Sequence, residues 1–295
     1  MSESELLITE SRSTQVGELS VRRALPTCGR RTVGAWCFID HMGPATLSPD
    51  NLFGIAPHPH IGLQTVTWLF DGALLHHDSL GSEQLIRPGQ LNLMTSSSGI
   101  VHSEENPGLT SGELHGAQLW VAQPSTTRDG LAAFEHHTEL PRFEMANGEA
   151  VVLVGTSGNV RSPARHDSEL VGLELKFRRG ENVIPLEPTF EYAMVVIRGK
   201  VNVEGEVIEP GHLAYLGLGR DEINFSTPED ATALLLGGVP FDEAIVMWWN
   251  FVARSQEEIS SAYESWTKSD ERFGPVDSKL SRIEVGAPPW FRLNR

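Results

Sequence analysis

Two short patterns in the first half of the chain carry residue types that bind transition metals. Pro57-His58-Pro59-His60 sets two imidazoles at i and i+2, and Gly99-Ile100-Val101-His102-Ser103-Glu104 sets an imidazole and a carboxylate at the same spacing. In an extended chain alternate side chains share a face. Pro59 lacks a backbone donor and resists helix, so the extended reading is favoured. Each pattern then presents two ligands on one side of a strand. His58, His60, His102 and Glu104 together offer three neutral nitrogens and one carboxylate oxygen, a set suited to one divalent transition metal: Fe2+, Mn2+, Ni2+, Co2+ or Zn2+. Four protein ligands leave one or two positions of a five- or six-coordinate ion for substrate or O2. A lone histidine is more often structural than a ligand; the pairing of the two patterns carries the inference.

Seven of the 11 histidines, at 41, 58, 60, 76, 77, 102 and 115, fall within 75 residues. His76 and His77 are adjacent and point to opposite faces of a strand, so at most one faces inward; that pair and His136-His137 read as surface or flanking residues. His41 is a candidate for lining the pocket or anchoring a loop. Continuing the alternation from His58 and His60 puts Gly62, Gln64, Val66, Trp68 and Phe70 on the metal side, and Leu63, Thr65 and Thr67 on the other. Gln64 and Trp68 are thereby predicted pocket residues, with Trp68 or Phe70 either an aromatic wall or simply barrel core, unless a bulge shifts the phase. Cys28 and Cys37 read as small buried hydrophobes.

The elements that must hold these residues are short β-rich runs, among them Leu63 to Phe70, Val151 to Val154, Leu170 to Phe177, Met194 to Ile197 and Ala233 to Leu236. Asp-Gly, Pro-Gly, Arg-Gly and Glu-Gly turns punctuate them, which predicts many strands in a barrel or sandwich. One unit occurs twice. Trp68 to Gly72 followed by Pro88-Gly89 is echoed by Val195 to Gly199 followed by Pro210-Gly211, the glycines 17 positions apart in the first copy and 12 in the second. A duplicated β-barrel is predicted, joined near Leu140-Pro141-Arg142. Helical periodicity enters only near the end, where Ser255 and Glu258 form a capping box opening a helix over about 255–268. The apolar tail from Phe273 is expected to pack back on the body.

The quoted motifs resemble the pirin family, a branch of the cupin superfamily: Val21–Pro26 (VRRALP), Phe38–Pro44 (FIDHMGP), Pro57–Gly62 (PHPHIG), Asp78–Gly81 (DSLG) and Gly99–Glu104 (GIVHSE). The likeness continues more weakly through Gly237–Pro240 and the Gln256–Ile259 helix. It implies a mainly β bicupin: two cupin-type β-barrels with a C-terminal helix, the metal-binding barrel over 1–140 and a second over 141–295 that includes helix and tail. It also implies metal ligation by three His and one Glu, on this chain His58, His60, His102 and Glu104. Fe2+ is the first choice among the five ions. In many cupins a Glu four residues after the second His is a ligand; here Gln64 stands there, so Glu104 must supply the carboxylate. The comparable stretch of the second barrel, Ile184 to Glu191, has no histidine, and His212 stands alone. No metal is expected there. Ser96-Ser97-Ser98-Gly99 replaces the arginine-bearing turn common before the H-x-E in the family.

The resemblance implies a metal-dependent dioxygenase that cleaves quercetin or a related flavonol with O2 and releases carbon monoxide. Glu104 then has a second, catalytic role, taking the proton of the substrate hydroxyl. The alternative is a non-catalytic metal- or redox-sensing regulator that binds a protein partner. The 295 residues carry 23 Lys and Arg against 39 Asp and Glu, a net charge of −16. Such a surface repels phosphate backbones, so no direct nucleic-acid partner is expected. No apolar run is long enough to span a bilayer. The opening MSESELLITESRS has no basic head before an apolar segment, so no secretory leader is expected. Two cysteines make no disulfide framework. A cytoplasmic protein acting on a small aromatic substrate is predicted.

Overall fold

A computed structural model describes residues 6–17, 19–48 and 53–291. The acidic start and the basic end of the sequence therefore fall partly outside the described residues. Strands follow the β-rich runs, and each pair of barrel sheets is built from antiparallel ladders. The first barrel pairs a seven-stranded sheet, centred on Leu63–Asp71, Glu113–Ala122 and Trp36–Thr46, with a four-stranded sheet in which Ile100–Glu105 lies between Gly54–His60 and Leu74–Asp78. The second repeats the plan, an eight-stranded sheet containing Glu191–Arg198, Ala231–Gly238 and Leu170–Phe177 beside a four-stranded one containing Gly180–Pro185 and Glu222–Thr227. The protein is a mainly β bicupin, and among the described residues it has one helix, Gln256–Lys268.

The two large sheets face one another. Ile39, Val66, Trp68, Ala117 and Leu119 of the first barrel share one buried cluster with Leu153, Val195, Leu213, Leu234 and Leu236 of the second. Trp36 crosses the seam, its indole N–H directed at the carbonyls of Val171 and Gly237, each at 3.2 Å. The opposite face of the first large sheet, carrying Phe38, Asp40, Met42, Gln118 and Trp120, turns into its own barrel and lines a cavity.

This arrangement corrects the strand phase read from sequence. His58 and His60 end one strand, whereas Gln64, Trp68 and Phe70 belong to the next, in the other sheet. Gly62 makes the turn between them with φ +69°, and a Cβ there would meet the Val252 carbonyl oxygen at 2.1 Å. The turn reverses the alternation. Trp68 therefore packs into the seam and Thr67 faces the cavity side.

The termini exchange barrels. Leu7–Glu10 pairs with His212–Leu218 of the second barrel, while Arg12–Val16 joins the first. Ala133–His137 is the last strand of the first sheet and Arg142–Met145 the first of the second after it. The C-terminal segment returns to the first barrel. Ile61, Val101, Phe251, Ile259, Ala262, Trp266 and Phe273 form one buried cluster, with Val252 N–H bonded to the Ile61 carbonyl at 3.1 Å. Ser255 Oγ accepts from the Glu258 N–H, and the Glu258 carboxylate reaches back to the Arg254 N–H and forks onto Arg128. Ser269 closes the helix in a left-handed conformation. Beyond it the tail lies on the first barrel, where the Ile283 N–H bonds the Pro57 carbonyl at 2.9 Å, beside the first metal-type motif. Among the described residues no helix is long and apolar enough to cross a membrane.

Candidate metal site and cavity

Antiparallel pairing brings the two motifs together: His102 stands directly opposite His58, and Ile100 opposite His60. One potential ligand atom from each of His58, His60 and His102 lies within 4.8 Å of the others, and all three side chains are buried. Two are oriented by backbone carbonyls. His58 Nδ1 lies 2.8 Å from the Ala56 carbonyl and His60 Nδ1 3.1 Å from that of Asn250. Each Nδ1 therefore carries the proton it donates, which leaves Nε2 as a bare lone pair, the orientation a metal ligand needs. His60 Nε2 and His102 Nε2 approach to 3.0 Å. Burial lowers the pKa of His58 to about 4 and those of His60 and His102 well below the ordinary value, with the neighbouring imidazoles adding to it. All three are neutral near pH 7, and the donor set fits a divalent cation.

Glu104 is placed differently. A bulge separates it from His102, and it falls outside the three-histidine cluster. It is buried, lines the same cavity, and accepts a hydrogen bond from Thr67 at 3.2 Å. Burial raises its pKa to about 7 against the opposing effect of that bond.

The cavity encloses about 410 Å3. One wall is aromatic: Phe38 and Trp120 stack at 3.9 Å and 13°, and Trp120 meets His60 at 5.2 Å near a right angle. Arg23 lies over Phe38 at 4.4 Å and forks onto Asp40 with bonds of 2.8 and 2.7 Å. Asp40 is nevertheless pushed up by burial, since desolvation outweighs Arg23. The rim comes from the far end of the chain, Trp249, Asn250 and Ile283.

His41, Gln64 and Trp68, read from sequence as pocket or flanking residues, do not line this cavity. Gln64 bonds Thr95 Oγ1 at 3.0 Å, Trp68 packs in the seam, and His41 meets His115 there with their Nε2 atoms 2.7 Å apart. Cys28, read as buried, is exposed; Cys37 is buried and its thiol is pushed up to about 12. His76, of the pair read as surface or flanking residues with at most one facing inward, is the inward one, buried against the site. It bonds Asp78 at 3.0 Å, stacks on Phe134 at 4.3 Å and lies 5.3 Å from the His102 ring. The i,i+2 spacing of His76 and Asp78 was the available signal. Sequence reasoning also missed Phe38, Trp120 and Asn250, because strand order alone brings them to the triad.

Two family models match the chain, Pirin over residues 18–121 and Pirin C-terminal cupin domain over 172–274. A Pseudomonas aeruginosa protein provisionally named quercetin 2,3-dioxygenase is 44% identical over 274 residues, covering 92% of this chain and 86% of its own. A Caulobacter vibrioides pirin-like protein is 35% identical, covering 92% and 96%. The crystal structure of quercetin 2,3-dioxygenase from Acinetobacter baumannii superposes with a TM-score of 0.93 at 40% identity, covering 98% of this chain and 97% of that one. A nickel(II) complex of the pirin YhhW from Escherichia coli, at 17% identity and TM-score 0.64 over 80% of this chain and 100% of that one, shares the fold.

Proposed function

The chain belongs to the pirin family, and from that premise we propose that it is a cytoplasmic metal-dependent dioxygenase cleaving quercetin or a related flavonol with O2. The observation that carries the reading is the convergence of three neutral, buried imidazoles at one end of a cavity with a stacked aromatic wall. The names of the P. aeruginosa relative and the A. baumannii structure support the same reaction class.

In this reading His58, His60 and His102 hold the ion, Fe2+ in the first instance, with Glu104 able to join them. A bound divalent ion supplies Lewis acidity that acidifies a coordinated hydroxyl and a site for oxygen chemistry. The chain's own residues do the rest. The Phe38–Trp120 pair offers a flat apolar surface for the ring system, and offset stacking on it favours planar substrates. Glu104, tethered through one oxygen, accepts the proton of the 3-hydroxyl group. Trp249, Asn250 and Ile283 of the C-terminal segment help to enclose the cavity and limit the water that reaches the oxidised ring. Overall, quercetin and one O2 become a depside and one carbon monoxide, so both oxygen atoms enter the organic product as one carbon leaves with its own oxygen.

Carbon monoxide release from quercetin by protein loaded with Fe2+, Mn2+, Ni2+ or Co2+ tests this. Release is expected with at least one ion and not from a His58→Ala, His60→Ala double variant. Its absence from protein shown to hold metal would remove the dioxygenase assignment.

A further inference from the structure

Thr67 stands between two buried acceptors. Its hydroxyl oxygen lies 3.2 Å from Glu104 Oε1 and 2.9 Å from Gln118 Oε1. Thr67 and Gln118 are directly paired across neighbouring strands and face the same way, and all three side chains are buried. A hydroxyl has one proton, so it cannot donate to both oxygens. With Glu104 ionised, as its reading as a base requires, the carboxylate only accepts, and the conflict resolves when the Gln118 amide is turned about its last bond, an orientation that only the hydrogen-bond network decides. Gln118 Nε2–H then donates to Thr67 Oγ1, and Thr67 donates to Glu104. Among the described residues Thr67 is the hydrogen-bond partner of Glu104. Gln118 and Glu104 line the cavity at the two ends of this relay, with Thr67 behind them.

We infer that Thr67 and Gln118 are positioning residues: the directed relay from Gln118 through Thr67 to Glu104 holds the carboxylate in the cavity wall, beside the three imidazoles and apart from them. The inference rests on the reading of Glu104 as the cavity's carboxylate, and it gives a reason for that residue's place outside the histidine cluster. It also couples the two polar groups that a ligand would touch. Anything that takes a Gln118 proton competes with the tether on Glu104.

Two measurements test the relay, and the first needs neither metal nor turnover. In 15N spectra of the full chain, assigned by loss in Gln118→Leu, the Gln118 side-chain amide is expected to exchange slowly with solvent. Protection should survive in Thr67→Ser and fall by at least tenfold in Thr67→Val. Equal exchange in all three proteins overturns the relay. The second uses Co2+ as probe. The visible spectrum of the Co2+-loaded protein is expected to shift in Thr67→Val and in Gln118→Leu, to match wild type in Thr67→Ser, and to show no Thr67→Val effect once Glu104→Ala is present. A shift that persists without Glu104 means that Thr67 acts on the fold, and overturns the assignment. Near-ultraviolet dichroism identifies any variant that fails to fold, and Gln118→Leu then carries the test. A chain that binds metal but releases carbon monoxide with none of the four ions removes the proposed reaction and leaves the relay standing.

Discussion

The chemistry at this site turns on where each proton sits. His58 and His60 give their Nδ1 protons to backbone carbonyls, so each ring is fixed in one tautomer and one orientation before any ion arrives. The carbonyl that orients His60 belongs to Asn250, 190 positions along the chain, so C-terminal docking sets the direction of an N-terminal ligand. Glu104 differs from His58 and His60 in being held by a side-chain hydroxyl, not by a backbone group. A carboxylate held by one hydroxyl can both approach an ion and take a proton from a ligand. Replacing Glu104 with Gln keeps size and hydrogen bonding while removing the base. Turnover is expected to fall by about 10²- to 10⁴-fold, with bound metal near the wild-type level. Metal analysis beside initial rates checks this. Parallel loss of both would make Glu104 a plain ligand.

At the scale of elements, the turn at Gly62 decides which residues see the site. It ends the His58–His60 strand, passes the chain to the opposite sheet and touches the Val252 carbonyl, so it also seats the C-terminal segment. Gly62→Ala should combine left-handed strain with a clash against backbone, at a cost of roughly 2 kcal/mol or more, and should lower metal content through His60. Gly81 is the control: its φ is +86° but a Cβ there meets nothing within 4 Å, so Gly81→Ala should show only the conformational cost. Thermal midpoints and metal content of the two variants separate clash from strain.

The same turn explains what could be read in the sequence. The histidines at i and i+2 were legible because spacing within one strand survives any tertiary arrangement. The duplicated turns were legible because glycine and proline mark them locally. Gln64 and Trp68 were misplaced because alternation was carried across Gly62 into another sheet. Phe38, Trp120 and Asn250 reach the triad only through pairing between strands far apart in the chain. The crossing of Leu7–Glu10 into the second barrel has no local signal at all.

The whole molecule depends on the seam between its barrels, and the seam has a titratable centre. His41 Nε2 meets His115 Nε2 at 2.7 Å and an Arg22 nitrogen at 3.3 Å, while Arg198 of the second barrel meets His115 Nδ1 at 2.8 Å. Phe70 packs on both rings, and Asp71, paired with Arg198, is the acid nearest to them, 4.0 Å from His115. Arg198 can only donate, so His115 Nδ1 accepts, His115 Nε2 carries the proton between the rings, and the single lone pair of His41 Nε2 accepts it, with Arg22 a longer approach at 3.3 Å. Both imidazoles are neutral in the fold. Burial is the main cause, with Arg22 and then the charge of His115 added for His41, and Arg198 for His115. It lowers His41 to about 2 and His115 to about 4. Unfolded, both titrate near 6.5, so below that pH the unfolded chain binds more protons and stability falls. The slope is at most about 1.4 kcal/mol per pH unit for each histidine. His115 contributes less than its full share because the half-exposed Arg198–Asp71 pair beside it is screened by solvent. The metal-free protein adds the same sign from His58, His60 and His102. Denaturant unfolding between pH 7 and 4.5 should therefore show falling stability, and His41→Gln should flatten that slope by up to about 1.4 kcal/mol per pH unit. An unchanged slope would mean that His41 is already protonated in the folded seam, and would overturn the tautomers assigned to the pair.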